Sequence, residues 1–129
     1  VGIDLEARPP RRQRDLNALM HGIGSAGELG RWQQTAAAVR ELAFYRLWVI
    51  KEAWLKARGE GVTPGRLRQL HTRPATPADA RATLCEVRSG SLLACHADAG
   101  ALHALPPLPP APEHMNWWAV DDLATPGNC

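Results

Sequence analysis

Apolar and polar residues alternate over residues 1–6 of the chain, VGIDLE. A period of two is typical of a β-strand with one buried face, so this segment is predicted to be a strand. Asp4 and Glu6 lie two positions apart and therefore share one face of the strand. Ile3 and Leu5 are predicted to be buried behind them.

The strongest helical pattern covers residues 35–58. This segment contains no Gly or Pro, is rich in Ala, Leu, Arg and Glu, and is followed by Gly59, as is typical of a helix C-terminus. Leu47, Ile50 and Trp54 follow the i, i+3, i+7 spacing of a core-facing stripe. The neighbouring stripe, at i, i+4 and i+8, consists of Trp48, Glu52 and Lys56.

Two short helices are predicted between the first strand and the long helix. The first covers residues 15–20. The second follows Ser25, a favoured N-cap residue, and carries Glu28 and Trp32. The glycines around Ser25 predict a loop between the two helices: Gly22, Gly24 and Gly27.

The second half of the chain has the pattern of strands. Ala82–Arg88 and residues 92–96 flank the segment 89–91 (SGS), which predicts a hairpin. Residues 67–71 form a weaker candidate strand, and residues 117–120 are predicted to form a last short strand.

These elements predict an α+β fold, in which one long helix packs across a small antiparallel sheet. We interpret the chain as a single lobe over residues 1–129. Residues 1–105 would form its core, residues 106–114 a Pro-rich connector, and residues 115–129 the closing strand and tail.

Composition limits the classes of function. With 129 residues, 45% of them hydrophobic, the chain suits one soluble domain. Its 15 basic and 13 acidic residues are too evenly balanced to indicate a nucleic-acid partner. No apolar run approaches the roughly 20 residues that cross a bilayer, and no signal peptide opens the chain. We therefore expect no membrane partner and a cytoplasmic location.

The chain begins at Val1, within a motif, which suggests a processed or incompletely represented protein.

Cysteine and histidine spacing does not indicate a metal site. The three cysteines, Cys85, Cys95 and Cys129, form no Cys-x-x-Cys and fit reduced cytosolic thiols. Cys85 and Cys95 are expected to be small core residues on facing strands of the hairpin. The five histidines show no pair at i, i+2 or i, i+4, so we expect no His-based site.

Asp4 and Glu6 are the first candidates for chemistry. Two carboxylates fixed on one strand face repel each other, and a bound cation would hold both in the ionised form. Mg²⁺ suits such a pair because it takes one or two carboxylates and completes its shell with water and phosphate oxygens. The alternative is a solvated strand face, since charged residues are mostly exposed.

The helix stripe offers the second candidate group. Glu52 and Lys56 have the spacing of an ordinary i, i+4 ion pair. Two observations favour a functional role. Lys51 and Lys56 are the only lysines of an Arg-rich chain, and a Trp at position 48 is unusual on a solvated face. Trp48 is interpreted as a supporting residue that packs behind the strand and positions Glu52.

These two segments are similar to the paired signature of 4'-phosphopantetheinyl transferases. The usual form is V-G-x-D-x-E, followed by W-x-x-K-E-[AS]-x-x-K and G-x-G. The chain has VGIDLE and then FYRLWVIKEAWLKARGEGV at residues 44–62. Two motifs in the right order make the resemblance specific. Every signature position is present: Val1, Gly2, Asp4, Glu6, Trp48, Lys51, Glu52, Ala53, Lys56, Gly59 and Gly61.

The resemblance also points to a subtype. The D-x-E spacing and the Trp before Lys-Glu resemble the surfactin-synthetase-activating branch, whereas the short trimeric holo-acyl-carrier-protein synthases space these acids D-x-x-E. The segment 25–29 (SAGEL) resembles the S-x-x-E segment of that branch, and residues 115–123 resemble its closing strand. Residues 63–82 carry no recognisable motif.

The resemblance implies an enzyme that transfers 4'-phosphopantetheine from coenzyme A to a serine of an acyl or peptidyl carrier protein and releases 3',5'-ADP. It implies a site for Mg²⁺, or for Mn²⁺, with three carboxylate ligands: Asp4, Glu6 and Glu52. Lys56 is implied to bind phosphate as a compact point charge. Glu28 is implied to help deprotonate the serine or to orient a water that does so. Lys51 would either bind substrate from the edge of the site or bridge to a neighbouring element.

Transferases of the surfactin type have two similar lobes related by a pseudo-twofold axis, and the motif V-G-x-D opens the second. The resemblance therefore implies that this chain is a C-terminal lobe. Two alternatives remain open at this point. The chain could be an active enzyme, completed by a first lobe or by self-association, or an isolated lobe that binds metal or carrier protein without catalysis.

Overall fold

The computed structural model describes residues 2–7, 15–76, 82–88, 91–96 and 114–124, with side chains described for residues 15–76 and 117–124. Within this part, the strands are β1 Gly2–Ala7, β2 Leu70–Pro74, β3 Ala82–Arg88, β4 Ser91–His96 and β5 His114–Asp122. The helices are α1 Leu16–Ile23, α2 Ala26–Gln33, α3 Ala37–Ala57 and α4 Pro64–Arg68.

The five strands form one antiparallel sheet in the order β1-β4-β3-β5-β2. Helix α3 packs across it, mostly against β1 and β4. This is the predicted α+β architecture. The order places β1, from the start of the chain, at the edge beside β4. Because α3 packs against β1, the two segments that carry the sequence motifs are neighbours in the fold.

The sheet confirms the predicted hairpin. Strands β3 and β4 pair antiparallel, with Arg88 opposite Ser91 at the turn end. Cys85 lies opposite Ala94, and Cys95 lies opposite Leu84, so the two cysteines are on facing strands one register step apart. The last predicted strand is also present, and β5 extends it at both ends.

The long helix confirms the prediction for residues 35–58 to within two residues at its start. It ends where a glycine permits the left-handed turn: Gly59 has φ 71°. The amide of Gly59 donates to the carbonyl of Lys56 (3.1 Å), and the amide of Glu60 donates to that of Leu55 (3.0 Å). These two bonds form the hydrogen-bonding pattern of a Schellman motif, which satisfies the last helix carbonyls.

The core lies around α3. Leu47, Ile50 and Trp54, the predicted core stripe, are 8%, 1% and 4% exposed. Residues on α1 and α4, including Met20, close the other side of this core. Burial of each such large apolar side chain contributes roughly 1.5–3 kcal/mol to the free energy of folding. The buried apolar cluster consists of Met20, Ile23, Trp32, Phe44, Tyr45, Leu47, Val49, Ile50, Ala53, Trp54, Leu55, Leu67, Leu70 and Val120.

Two local predictions were wrong. Gly22 and Gly27 do not lie in a loop, because α1 and α2 extend over them and leave only residues 24–25 between the helices. A Cβ at position 27 would come within 2.9 Å of the His71 ring, so this glycine allows α2 to approach β2 closely. The glycine is needed for packing and not for a turn.

The second wrong prediction is the strand at residues 67–71, because most of this segment is not a strand. Helix α4 covers its first residues, and β2 begins only at Leu70. The Thr63 side chain accepts a hydrogen bond from the amide of Arg66 (3.2 Å), and Pro64 occupies the first helical turn. Thr-Pro is a favourable helix start that the strand interpretation overlooked.

Several sequence predictions fall on residues outside the described part: Val1, the stretch 106–113 of the connector, and the tail from residue 125. The described helices include none that is both long enough and apolar enough to cross a membrane.

Candidate functional site

A buried ion pair joins α2 to α3. Lys51 Nζ lies 2.6 Å from Glu28 Oε1, and the two side chains are 0% and 1% exposed. Lys51 Nζ also donates to the carbonyl oxygens of Ile23 (2.8 Å) and Leu67 (2.9 Å). The ammonium group has three N–H donors, and all three have acceptors. Lys51 therefore connects α3 to the end of α1, to α2 and to α4.

The Glu28 carboxylate is equally well bonded. Besides Lys51, its Oε1 accepts from the amide of Ser25 (2.9 Å). Its Oε2 accepts from the amide (2.8 Å) and from the hydroxyl (2.6 Å) of Thr72. Ser25 and Glu28 form a complete capping box, in which each side chain bonds the backbone amide of the other residue. One carboxylate thus links the N-terminus of α2, helix α3 and strand β2.

The electrostatics follow from this arrangement. Burial raises the pKa of Glu28, but the charge of Lys51 and the hydrogen bonds from Lys51, Thr72 and Ser25 outweigh it, so the pKa lies below its ordinary value. Burial also lowers the pKa of Lys51, and the attraction of Glu28 offsets this only in part. The carboxylate therefore remains ionised at neutral pH.

These contacts bear on two residues that the resemblance singled out. Two roles were left open for Lys51. Its contacts are those of a bridge between neighbouring elements. Glu28 has two donors on each oxygen, so accepting a proton from a substrate would require one of these bonds to break. The fourth member of the group, Thr72, was missed. Its partner lies 44 positions away, and nothing in a local sequence window indicates the pairing.

The stripe beside Lys51 is more open. Glu52 is the next residue, about 100° further round the helix axis. Its Oε2 lies 3.7 Å from Lys56 Nζ, with side-chain exposures of 14% for Glu52 and 46% for Lys56. The ring of Trp48, which is half-buried, stacks on that of Phe44 at 6.4 Å between centroids. The i, i+4 ion pair that the spacing allows is present, and Glu52 is partly accessible.

Strand β1 carries the two remaining candidate ligands, Asp4 and Glu6. Asp4 pairs with Ala94 and Glu6 with Leu92, on the edge strand against which α3 packs. The side chains of Asp4 and Glu6 lie outside the described part of the structure. Among the described side chains, no three His, Cys, Asp or Glu residues come together as a metal-binding group. The three-carboxylate site, which depends on Asp4 and Glu6, stays a prediction.

The backbone alone places a strand with D-x-E beside a helix with K-E-x-x-x-K. The model of the 4'-phosphopantetheinyl transferase superfamily matches residues 1–103, and the chain belongs to this family. The match includes both sequence motifs and β1 to β4, and it ends before β5.

Comparisons with curated proteins and with solved structures give no significant match. Membership of the superfamily identifies the chain with phosphopantetheinyl transferases as a class. The surfactin-type branch rests on the motif spacing alone and remains a prediction.

Proposed function

We propose that this protein transfers 4'-phosphopantetheine from coenzyme A to a serine of an acyl or peptidyl carrier protein. The proposal rests on one observation above all: the family match covers both motifs, and the fold packs the motif helix α3 against the motif strand β1. The D-x-E spacing and Trp48 favour the surfactin-type branch.

In the proposed reaction, the serine hydroxyl attacks the phosphorus on the pantetheine side of the coenzyme A pyrophosphate. A new P–O bond forms to the serine oxygen, and the P–O bond to the leaving 3',5'-ADP breaks. The serine proton passes to a general base. Charge accumulates on the bridging and leaving oxygens, so neighbouring cations lower the barrier.

The residues with a direct role would be those at the strand–helix junction. Asp4, Glu6 and Glu52 would hold Mg²⁺ or Mn²⁺, which supplies positive charge to the pyrophosphate. Lys56 would bind a phosphate oxygen, because its half-exposed ammonium group lies beside Glu52. A binding role here requires Lys56 to exchange Glu52 for phosphate or to contact both.

For Glu28 and Lys51 we propose a positioning role and not a direct role in the reaction. The resemblance implies that Glu28 helps to deprotonate the serine or orients a water that does so, and that Lys51 either binds substrate or bridges to a neighbouring element. Their complete burial and full bonding favour positioning instead. By fixing α3 against three other elements, Lys51 would set the rotation of the helix that presents Glu52.

The test is mass spectrometry of an apo carrier protein incubated with the chain, coenzyme A and Mg²⁺. We expect the carrier to gain the mass of one phosphopantetheine with the wild type and not with Glu52→Ala. Glu41→Ala is the matched control, since Glu41 lies on the same helix outside the motif and should retain activity.

Failure of the wild type to modify any carrier, with the folded state verified by circular dichroism, would contradict a self-sufficient enzyme. It would favour the alternative of an isolated lobe that binds metal or carrier protein and requires another lobe for turnover. Equal activity of Glu52→Ala and wild type would contradict the proposed metal ligands while leaving the family assignment in place.

A further inference from the structure

A cavity of about 180 Å³ is lined by residues of α1, α2, α3 and the strands β2 and β5. Its apolar wall is formed by side chains that are themselves buried, with exposures of 8% or less: Met20, Trp32, Leu47 and Ile50. Ile50 and Glu52 are separated by about 200° around the axis of α3. The cavity therefore lies on a different side of the helix from the proposed transferase site.

Two hydrogen-bond donors among the lining residues have no acceptor. Arg46 Nε and the indole Nε1 of Trp118 are both buried, and neither has a partner in the described part of the structure. Each of these groups can only donate. A buried donor without an acceptor costs roughly 1–3 kcal/mol, so two at one cavity call for a physical explanation.

The charge of the cavity is positive. Arg31 and Arg46 both line it, and the Arg46 guanidinium lies 5.8 Å from the centre of the Trp118 ring. Glu28 is the only carboxylate among the described lining residues, and its oxygens are already bonded. Arg31 donates one bond to the carbonyl of Thr72 (2.9 Å). An occupant with a negative charge would therefore meet two cations and no competing free carboxylate.

We propose that this cavity binds a small organic anion, whose carboxylate or phosphate oxygens accept hydrogen bonds from Arg46 Nε and Trp118 Nε1. The apolar part of the ligand packs against Leu47 and Ile50. The chemistry of the lining determines this class: donors without acceptors require oxygens, two guanidinium groups require negative charge, and the apolar wall requires a hydrocarbon or aromatic portion. This site is additional to the transferase function and does not depend on it.

The test is a titration of the ¹⁵N-labelled full chain, followed by the indole N–H resonance of Trp118. Trp118→Phe assigns that resonance by its loss. Benzoate and phenyl phosphate are the anionic probes, and benzyl alcohol is the neutral probe of similar shape. We expect a saturable shift with at least one anion and none with the alcohol, and the tighter of the two anions identifies the preferred oxyanion.

Arg46→Met removes the guanidinium while keeping an extended side chain, and we expect it to weaken binding about tenfold or more. Arg68→Met is the matched control, since Arg68 is exposed, does not line the cavity and should leave the affinity unchanged. If Arg46→Met does not fold, Trp118→Phe provides the same test by calorimetry, because it keeps an aromatic side chain and loses the N–H donor.

Three outcomes would overturn the proposal. The indole resonance could fail to move at millimolar concentrations of both anions, which would indicate that water alone satisfies the donors. The neutral probe could bind as well as the anions. Arg46→Met or Trp118→Phe could bind with wild-type affinity.

Discussion

Lys51 Nζ and Glu28 Oε1 lie 2.6 Å apart in the interior of the protein, although 23 positions separate the residues in the chain. The Lys-Glu pair of the helix motif thus has two different environments. Lys51 is completely buried and bonded to protein oxygens, while Glu52 is partly accessible beside Lys56. We infer that Lys51 fixes the position of α3 and that Glu52 binds the metal ion of the proposed site.

Replacing Lys51 should strongly destabilise the protein. Lys51→Met would leave the Glu28 carboxylate buried without its cation, and the expected loss is about 3–5 kcal/mol in the free energy of unfolding. Urea denaturation followed by circular dichroism measures it. Lys56→Met is the control, because it makes the same change on the same helix at an exposed ion pair, where about 0.5 kcal/mol or less is expected. Similar losses for the two variants would contradict the structural role of Lys51.

The same pair should show strong energetic coupling. Glu28→Gln alone and Lys51→Met alone each leave a buried group without its partner, whereas the double variant removes both charges. The double variant should therefore lose less stability than the sum of the two single losses, by about 2 kcal/mol or more. The parallel cycle of Glu52→Gln and Lys56→Met should give a coupling of about 0.5 kcal/mol or less. Additive losses for Glu28 and Lys51 would show that their contact contributes nothing specific.

Much of this arrangement could be predicted from sequence, since its main elements have local signals. The alternation in β1 and the long glycine-free helix α3 indicated the two motif elements, and the Ser25 N-cap predicted the start of α2. The contact between Glu28 and Thr72 could not be predicted, because it depends on how β2 packs against α2. Likewise the burial of Lys51 runs against the usual exposure of lysine and is explained only by three acceptors from distant segments.

Lowering the pH should remove the contribution of the ionised Glu28 carboxylate to the free energy of unfolding. Its pKa in the folded state lies below the ordinary value of 4.5, so the folded state favours the ionised form. The resulting stability is fully present above pH 4.5 and is lost as the pH falls through the lower folded-state pKa. In urea titrations from about pH 6 to about pH 3, the free energy of unfolding of Glu28→Gln should fall less steeply than that of the wild type. Parallel curves for the two proteins would mean that Glu28 does not have a lowered pKa.

The proposed division between Lys51 and Lys56 predicts two different kinetic defects. Lys51→Gln should displace Glu52 by relaxing α3, so the Mg²⁺ concentration at half-maximal transfer should rise about tenfold, as is typical when a residue that orients a metal ligand is lost. Lys56→Gln should instead lower kcat/KM for coenzyme A about tenfold or more and leave the Mg²⁺ dependence unchanged, because it removes a charge from the phosphate.

Initial rates are measured over a matrix of Mg²⁺ and coenzyme A concentrations and are divided by the folded fraction of each variant. This correction separates positioning from stability, since a purely structural Lys51 would lower only the amount of active protein. Conservative replacement provides a second check: Lys56→Arg keeps the charge and should recover part of kcat/KM, whereas the larger guanidinium of Lys51→Arg does not fit the buried site. An unchanged Mg²⁺ dependence in folded Lys51→Gln would refute the positioning role.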